Sequence, residues 1–228
     1  MKPTELENIE IYVTEEENHV QINDIQGHDL ASIWDTLAEK YPGYDIDLCF
    51  RNMPAPMDIL EKIGARLLED CIELKITPQD LKPHDSPNIT PLQMHDYEGF
   101  AKLHDTANPA PDMFWTSQRI LPKWDIWRIF VHKTKDGITG YVMVMVKMKG
   151  EHMGEVFTLE AETPALRKAL LSAAVASAFE CGKSVVVYMV KRGDANAYAD
   201  ALAVGFRETG YYRGYCTQLS NVYTASGK

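Results

Sequence analysis

Two cations open the longest helix-forming run in this chain. In ETPALRKALLSAAVASAF, Arg167 and Lys168 follow Pro164. There a helix still has unpaired backbone N–H groups and the positive end of its dipole. A basic pair at that place can hold an anion, or it can be a solvated charged turn. Glu155 and Glu160 flank the stretch VFTL, and Glu160 stands at its C-terminal end, where ligands gather in open α/β sheets. A second anion-site candidate is Gln26-Gly27-His28-Asp29-Leu30-Ala31. A carboxylate in a first turn suits the dipole and repels a phosphate, so Asp29 is expected to cap that helix.

Other chemistries find no support in the residues. His84, His95, His104, His132 and His152 form no HExxH or i,i+4 pair, and neither a G-x-S-x-G elbow nor a G-x-x-x-x-G-K-[ST] loop occurs. Cys49, Cys71, Cys181 and Cys216 are scattered without a C-x-x-C pair, so no metal site or disulfide framework is expected.

The elements that must position these residues are legible around them. Val156, Phe157 and Leu159 make a β-rich run. Pro164 suits a first helical turn, and Leu166, Leu170, Ala173 and Ser177 recur at helical spacing. Gly182 ends the helix, and SVVVYMV reads as a strand covered on both faces. The unit is β-α-β with a parallel crossover. A further helix, Asn196 to Val204, carries Ala197, Ala201 and Ala203, whose small side chains imply close packing, and ends at Gly205-Phe206.

Upstream, IEIYV and HVQINDI read as a hairpin. HDLASIWDTLAEK places Leu30, Ile33, Trp34 and Leu37 on one helical stripe. DIDLCF is a strand, Pro56 to Ile63 a short helix ending at Gly64, and ARLLEDCIELKI a strand. With Gly64 laid on Gly205, ILEKIGARLLEDCIELKI falls on ALAVGFRETGYYRGYCTQ in the same order of strand, short helix, glycine and strand. Residues 1–80 are therefore expected to form a partial repeat of a fuller unit at 88–220 that lacks its first strand, with 221–228 as a tail. Prolines 83, 87 and 91 mark 81–91 as a linker running into a first strand at Asn88 to Leu92. His95 to Thr106 is helical in spacing, and IWRIFVHKTKDGITGYVMVMVK is a hairpin turning at Lys135-Asp136-Gly137.

Composition bounds the function. A hydrophobic content of 45% supports a packed core. A net charge of −10, from 23 basic and 33 acidic residues, argues against a general nucleic-acid binder. MKPTELENIE has no apolar stretch of signal-peptide length, and YVMVMV is too short to span a bilayer. A cytoplasmic protein without membrane or nucleic-acid partners is expected, and a homodimer is left open.

The order strand, helix, strand, helix, Gly-Phe, strand, with the strings ALRKALLSAAVASAF, VVVYMV and NAYADALAVGF, resembles the core of the GNAT superfamily of acyl-CoA N-acyltransferases. The resemblance implies an α/β fold with a mixed, mostly antiparallel sheet and helices on both faces. It implies acetyl-CoA as co-substrate and direct attack by a small-molecule or peptide amine. The cofactor would lie along Leu159, Ala165, Leu166, Arg167 and Lys168 with Asn196 nearby, Glu160 would be the base, and Tyr198 the acid. Phe114, Trp115, Arg119, Trp124 and Trp127 would line the acceptor cleft or belong to the core. The chain departs from the family's Q/R-x-x-G-x-G/A string: Glu162 replaces its Gln or Arg, Ala165 its first glycine, and Arg167 its small residue. The family tyrosine falls on Ala201, with Tyr198 three residues earlier. These departures leave a second reading, a GNAT-fold binding or interaction module without transfer activity.

Overall fold

The structure is a computed structural model that describes residues 2–6, 9–109, 113–147 and 152–219. The expected tail at 221–228 lies outside the described residues. The chain forms two compact units, residues 1–71 with 210–228, and residues 72–209.

The first unit contains β1 (Lys2–Leu6), β2 (Ile9–Thr14), β3 (His19–Asn23), α1 (Gly27–Lys40), β4 (Asp45–Arg51) and α2 (Met57–Lys62). It also holds the first part of β5 (Arg66–Ile76) and, from the far end of the chain, most of β11 (Arg207–Gln218). Its strands run β1-β2-β3-β4-β11, antiparallel except for β3 and β4. Those two are parallel because α1 carries the chain from the end of one to the start of the other. The stripe Leu30, Ile33, Trp34 and Leu37 is buried against Ile11, Val20, Ile22, Leu48 and Phe50. β1 pairs with β2 ahead of the hairpin and stands where β7 stands before β8, so the first strand β6 has no counterpart before it among the described residues. One expectation is corrected. Asp29 does not cap α1: Gln26 holds the cap position without a side-chain bond, and Asp29 sits inside the first turn, 3.2 Å from His28.

The second unit contains β6 (Ile89–Pro91), α3 (Tyr97–Ala107), α4 (Ser117–Ile120), β7 (Trp127–Thr134), β8 (Gly137–Met145), β9 (Met153–Ala161), α5 (Pro164–Glu180), β10 (Val185–Lys191) and α6 (Ala195–Val204). Its strands run β5-β10-β9-β8-β7-β6, with β9 and β10 parallel across α5. The period of two on β8 separates two cores. Val142 and Val144 join Leu170, Leu171, Ala174 and Val175 of α5, and Tyr141, Met143 and Met145 join Phe100 of α3. Helices therefore cover both faces. Gly140 of β8 lets α5 approach closely: a Cβ there would stand 3.3 Å from Leu170.

The order β2-β3-α1-β4-α2-β5 is matched by β8-β9-α5-β10-α6-β11. Each series holds one parallel pair around its first helix, and each second helix is followed by a glycine at positive φ, Gly64 at 66° and Gly205 at 113°. The mixed, mostly antiparallel sheet with six helices among the described residues agrees with the expected fold class.

Candidate active site

β9 and β10 begin as neighbours and then part. Their register runs from Met153↔Val185 to Val156↔Tyr188. β9 continues to Ala161 and β10 to Lys191 without further pairing to each other. At the same place the register of β9 on β8 shifts: Val156 faces Val144, Thr158 faces Met143, and Phe157 is the extra residue. A bulge leaves one residue out of the ladder, so Phe157 is in register with a residue of neither β8 nor β10. Backbone dipoles freed at the C-terminal side of a parallel pair can meet developing negative charge, such as the oxygen of an attacked carbonyl.

Glu160 lies three residues further along β9 and is half-buried. Burial raises its pKa, Asp194 adds to the rise, and Lys191 opposes it. It is thereby a stronger base than an ordinary exposed glutamate. Tyr188, at the last paired position of β10, is buried with its ring 6.0 Å from Phe206. Its phenol is pushed well above the usual range by burial, then by Asp194, Glu160 and Asp200. Carboxylates therefore gather around the diverging strand ends.

The start of α5 is already satisfied. Thr163 holds the cap and its hydroxyl accepts from the Leu166 N–H at 3.2 Å. Pro164 has no N–H to offer, and the Arg167 N–H bonds back to the Thr163 carbonyl at 2.9 Å. Of the first-turn donors, the Ala165 N–H remains. Arg167 does not project as a free cation: its Nε donates to Asp200 of α6 at 2.6 Å and its guanidinium also reaches the Ala161 carbonyl at 3.4 Å. Lys168 is half-buried and makes no ion pair among the described residues. Ala165 and Leu166 line a cavity of about 350 Å³ with Glu162, Thr163 and His132; it opens between α5 and the β7–β8 hairpin, and no residue of β10 lines it.

Leu159 packs into the α5 core opposite Val142. Asn196 is exposed in the first turn of α6, whose cap Asp194 accepts from the Ala197 N–H at 2.9 Å. The Tyr198 hydroxyl donates to Glu208 at 2.9 Å, and that bond raises its pKa, making it a weaker acid. Glu160, the gap and the start of α5 thus share one end of the sheet, while Tyr198 is committed to Glu208. Among the described residues no group of three or more His, Cys, Asp and Glu side chains could hold a metal.

On the opposite face of the sheet, α3 carries a buried hydrogen-bond network. His104 is fully buried; its Nε2 donates to the Trp115 carbonyl at 2.7 Å and its Nδ1 accepts from the Tyr141 hydroxyl at 2.8 Å. Asn108 donates to the same hydroxyl at 2.8 Å. Asp105 accepts from the Ser117 N–H at 2.9 Å and from its hydroxyl at 2.5 Å. These bonds sew the segment holding Phe114 and Trp115 onto α3. The only sequence signal for them is the Tyr97, Phe100, His104 spacing.

No protein-family model and no curated protein matches this chain. Solved structures do. A GCN5-related N-acetyltransferase from Kribbella flavida superposes with a TM-score of 0.65 at 12% identity, covering 94% of this chain and 88% of that one. One from Sphaerobacter thermophilus gives 0.62 at 14%, covering 92% and 76%. A tandem GNAT protein from the clavulanic acid biosynthesis pathway gives 0.61 at 11%, covering 93% and 78%. The fold is that of the GNAT acetyltransferases.

Proposed function

We propose that the protein is an acyl-CoA-dependent N-acyltransferase that moves an acetyl group from acetyl-CoA to a small amine, in the cytoplasm. The observation that carries this is the opening of β9 from β10 at Val156↔Tyr188, coincident with the bulge at Phe157 and followed by half-buried Glu160. In the proposed reaction, the thioester carbonyl lies against the backbone at Phe157, where the strands part, while the amine attacks it. A new C–N bond forms, Glu160 takes the amine proton, directly or through water, and the C–S bond breaks to release the CoA thiolate. Residues 1–80 serve as an architectural half-repeat.

The diphosphate end of acetyl-CoA is fitted less well than the thioester end. Pro164 and the Thr163 cap remove two of the donors that a helix start offers to phosphate, and Asp200 neutralises Arg167. Those contacts favour a second reading, a binding module of the same fold without transfer.

Thermal melting with and without acetyl-CoA, followed by a thiol-release assay over a panel of amines, tests the proposal. Ligand at 100 times its Kd should add about 2.7 kcal/mol of stability, and an accepted amine should release free CoA. Stabilisation without thiol release from any amine would favour the binding module, and no stabilisation would overturn both CoA readings.

A further inference from the structure

The proposed reaction makes no use of the cavity of about 350 Å³ beside the first turn of α5. That cavity lies on the α5 face of the sheet: one of its walls is His132, which pairs with Gly140, and Gly140 faces Leu170 of α5. Glu160 is on the other face. It pairs with Tyr141, which packs with Phe100 of α3, and the side chains of register partners share a face.

Three pieces of chain build the cavity. The β7–β8 hairpin contributes His132, Thr134 and Thr139, the turn into α5 contributes Glu162 and Thr163, and the linker contributes Ser86. Ser86 is held from both sides. The His84 N–H donates to the Ser172 hydroxyl of α5 at 3.2 Å, and the Asn88 carbonyl accepts from the Lys133 N–H at 3.1 Å. The volume falls at the small end of the range for ligand sites, about 300–1,000 Å³.

The walls select a charge. Glu162 makes no hydrogen bond or ion pair among the described residues, and no lysine or arginine lines the cavity. A carboxylate facing such a space attracts a cation and repels a phosphate. Most of the remaining polar groups are hydroxyls, which both donate and accept and so complement hydroxyls on a ligand. Thr134 is spent within the hairpin turn, bonded to the Asp136 N–H and the Gly137 carbonyl. The other three keep capacity: Ser86 has only a 3.5 Å contact with the Pro87 carbonyl, Thr163 accepts from the Leu166 N–H and keeps its own proton, and Thr139 is bonded once, to His132 Nδ1 at 2.8 Å. Leu166 adds an apolar wall for a carbon skeleton.

We infer that this cavity is a binding site for a small aliphatic ammonium carrying several hydroxyls, its charge against Glu162 and its hydroxyls on Ser86, Thr139 and Thr163. The site goes beyond the transferase reading and does not rest on it, because its ligand lies across the sheet from Glu160.

Calorimetric titration of the full chain with D-glucamine, with D-glucitol, in which a hydroxyl replaces the ammonium, and with hexylamine, which has the ammonium alone, tests it without acetyl-CoA. Glucamine should bind saturably and more tightly than either by about 3- to 10-fold, the lower range for a hydrogen bond to a charged group that solvent still reaches. Glu162→Gln should remove the preference for glucamine over glucitol. Thr139→Val should weaken glucamine and glucitol alike. In ¹³C-labelled protein the imidazole resonances that His132→Gln deletes should shift on adding glucamine. Absence of saturable glucamine binding, a preference that survives in Glu162→Gln, or His132 resonances that stay in place overturns the site. Failure of glucamine to bind while an amine still releases thiol removes this site alone. Glucamine binding as expected, with no thiol release from any amine, removes the transferase reading alone.

Discussion

Arg167 and Asp200 form a buried ion pair, Nε to carboxylate at 2.6 Å, with side chains 17% and 8% exposed. It ties the first turn of α5 to the middle of α6 across the open ends of β9 and β10. The cation that stands at the mouth of α5 is therefore a strut between helices. Breaking such a pair from one side leaves a buried charge.

Asp200→Asn should accordingly destabilise the protein by about 2–4 kcal/mol, somewhat under the range for a fully enclosed pair because Arg167 retains some solvent. Arg167→Met in the same chain should recover part of that loss. Urea denaturation of the two single variants and the double variant measures the coupling. Single-variant losses that simply add would show that the two side chains do not interact.

Glu160→Gln should lower turnover by at least about 100-fold on whichever amine is accepted, the lower range for a general base, with little change in acetyl-CoA affinity. Tyr198→Phe should cost less than about tenfold, because its hydroxyl is already donated to Glu208 and is a weaker acid for it. Steady-state rates of thiol release separate the two. A 100-fold loss in Tyr198→Phe would restore the phenol as the acid.

His104 makes stability depend on pH. Burial lowers its pKa, outweighing the Trp115 carbonyl and Asp105, which favour the charged form. The unfolded chain, titrating near the ordinary value of about 6.5, then binds the proton first. Stability is full above that pH and falls as pH drops from about 6.5 towards the lowered pKa of the folded state. His104→Gln should remove this part of the slope while costing about 1–3 kcal/mol at pH 8 through the Tyr141 and Trp115 groups it leaves. Melting temperatures between pH 5 and pH 8 give both numbers, and parallel curves for the two proteins would refute the assignment.

Gly205 and Gly64 end their helices in the same left-handed conformation but in different surroundings. A Cβ on Gly205 would stand 2.0 Å from the Asp80 carbonyl oxygen, whereas one on Gly64 would meet nothing within 4 Å. Gly64→Ala should cost about 1–2 kcal/mol, the left-handed penalty alone. Gly205→Ala should cost roughly 2–5 kcal/mol, because backbone must also move. Equal losses by chemical denaturation would mean that the Asp80 segment yields freely.

Periodicity and punctuation sufficed for the elements. The spacing of Leu30, Ile33, Trp34 and Leu37 demanded a helix with one buried face, the unbroken VVVYMV a strand covered on both, and Gly205 a helix end, because these are local consequences of side-chain direction and backbone sterics. Their order sufficed for the GNAT fold. What the side chains do at the site was not local. Nothing near Arg167 in sequence says that Asp200 will neutralise it, nothing near Tyr198 names Glu208, and no pattern marks Phe157 as the residue skipped by β8 or Trp127 as a donor without a partner among the described residues. Those outcomes depend on strand register and on which helix faces meet, and a shift of one residue in a strand would exchange every neighbour. Charge pairing and buried hydrogen bonds are decided between segments far apart in the chain, so only the tertiary structure could assign them.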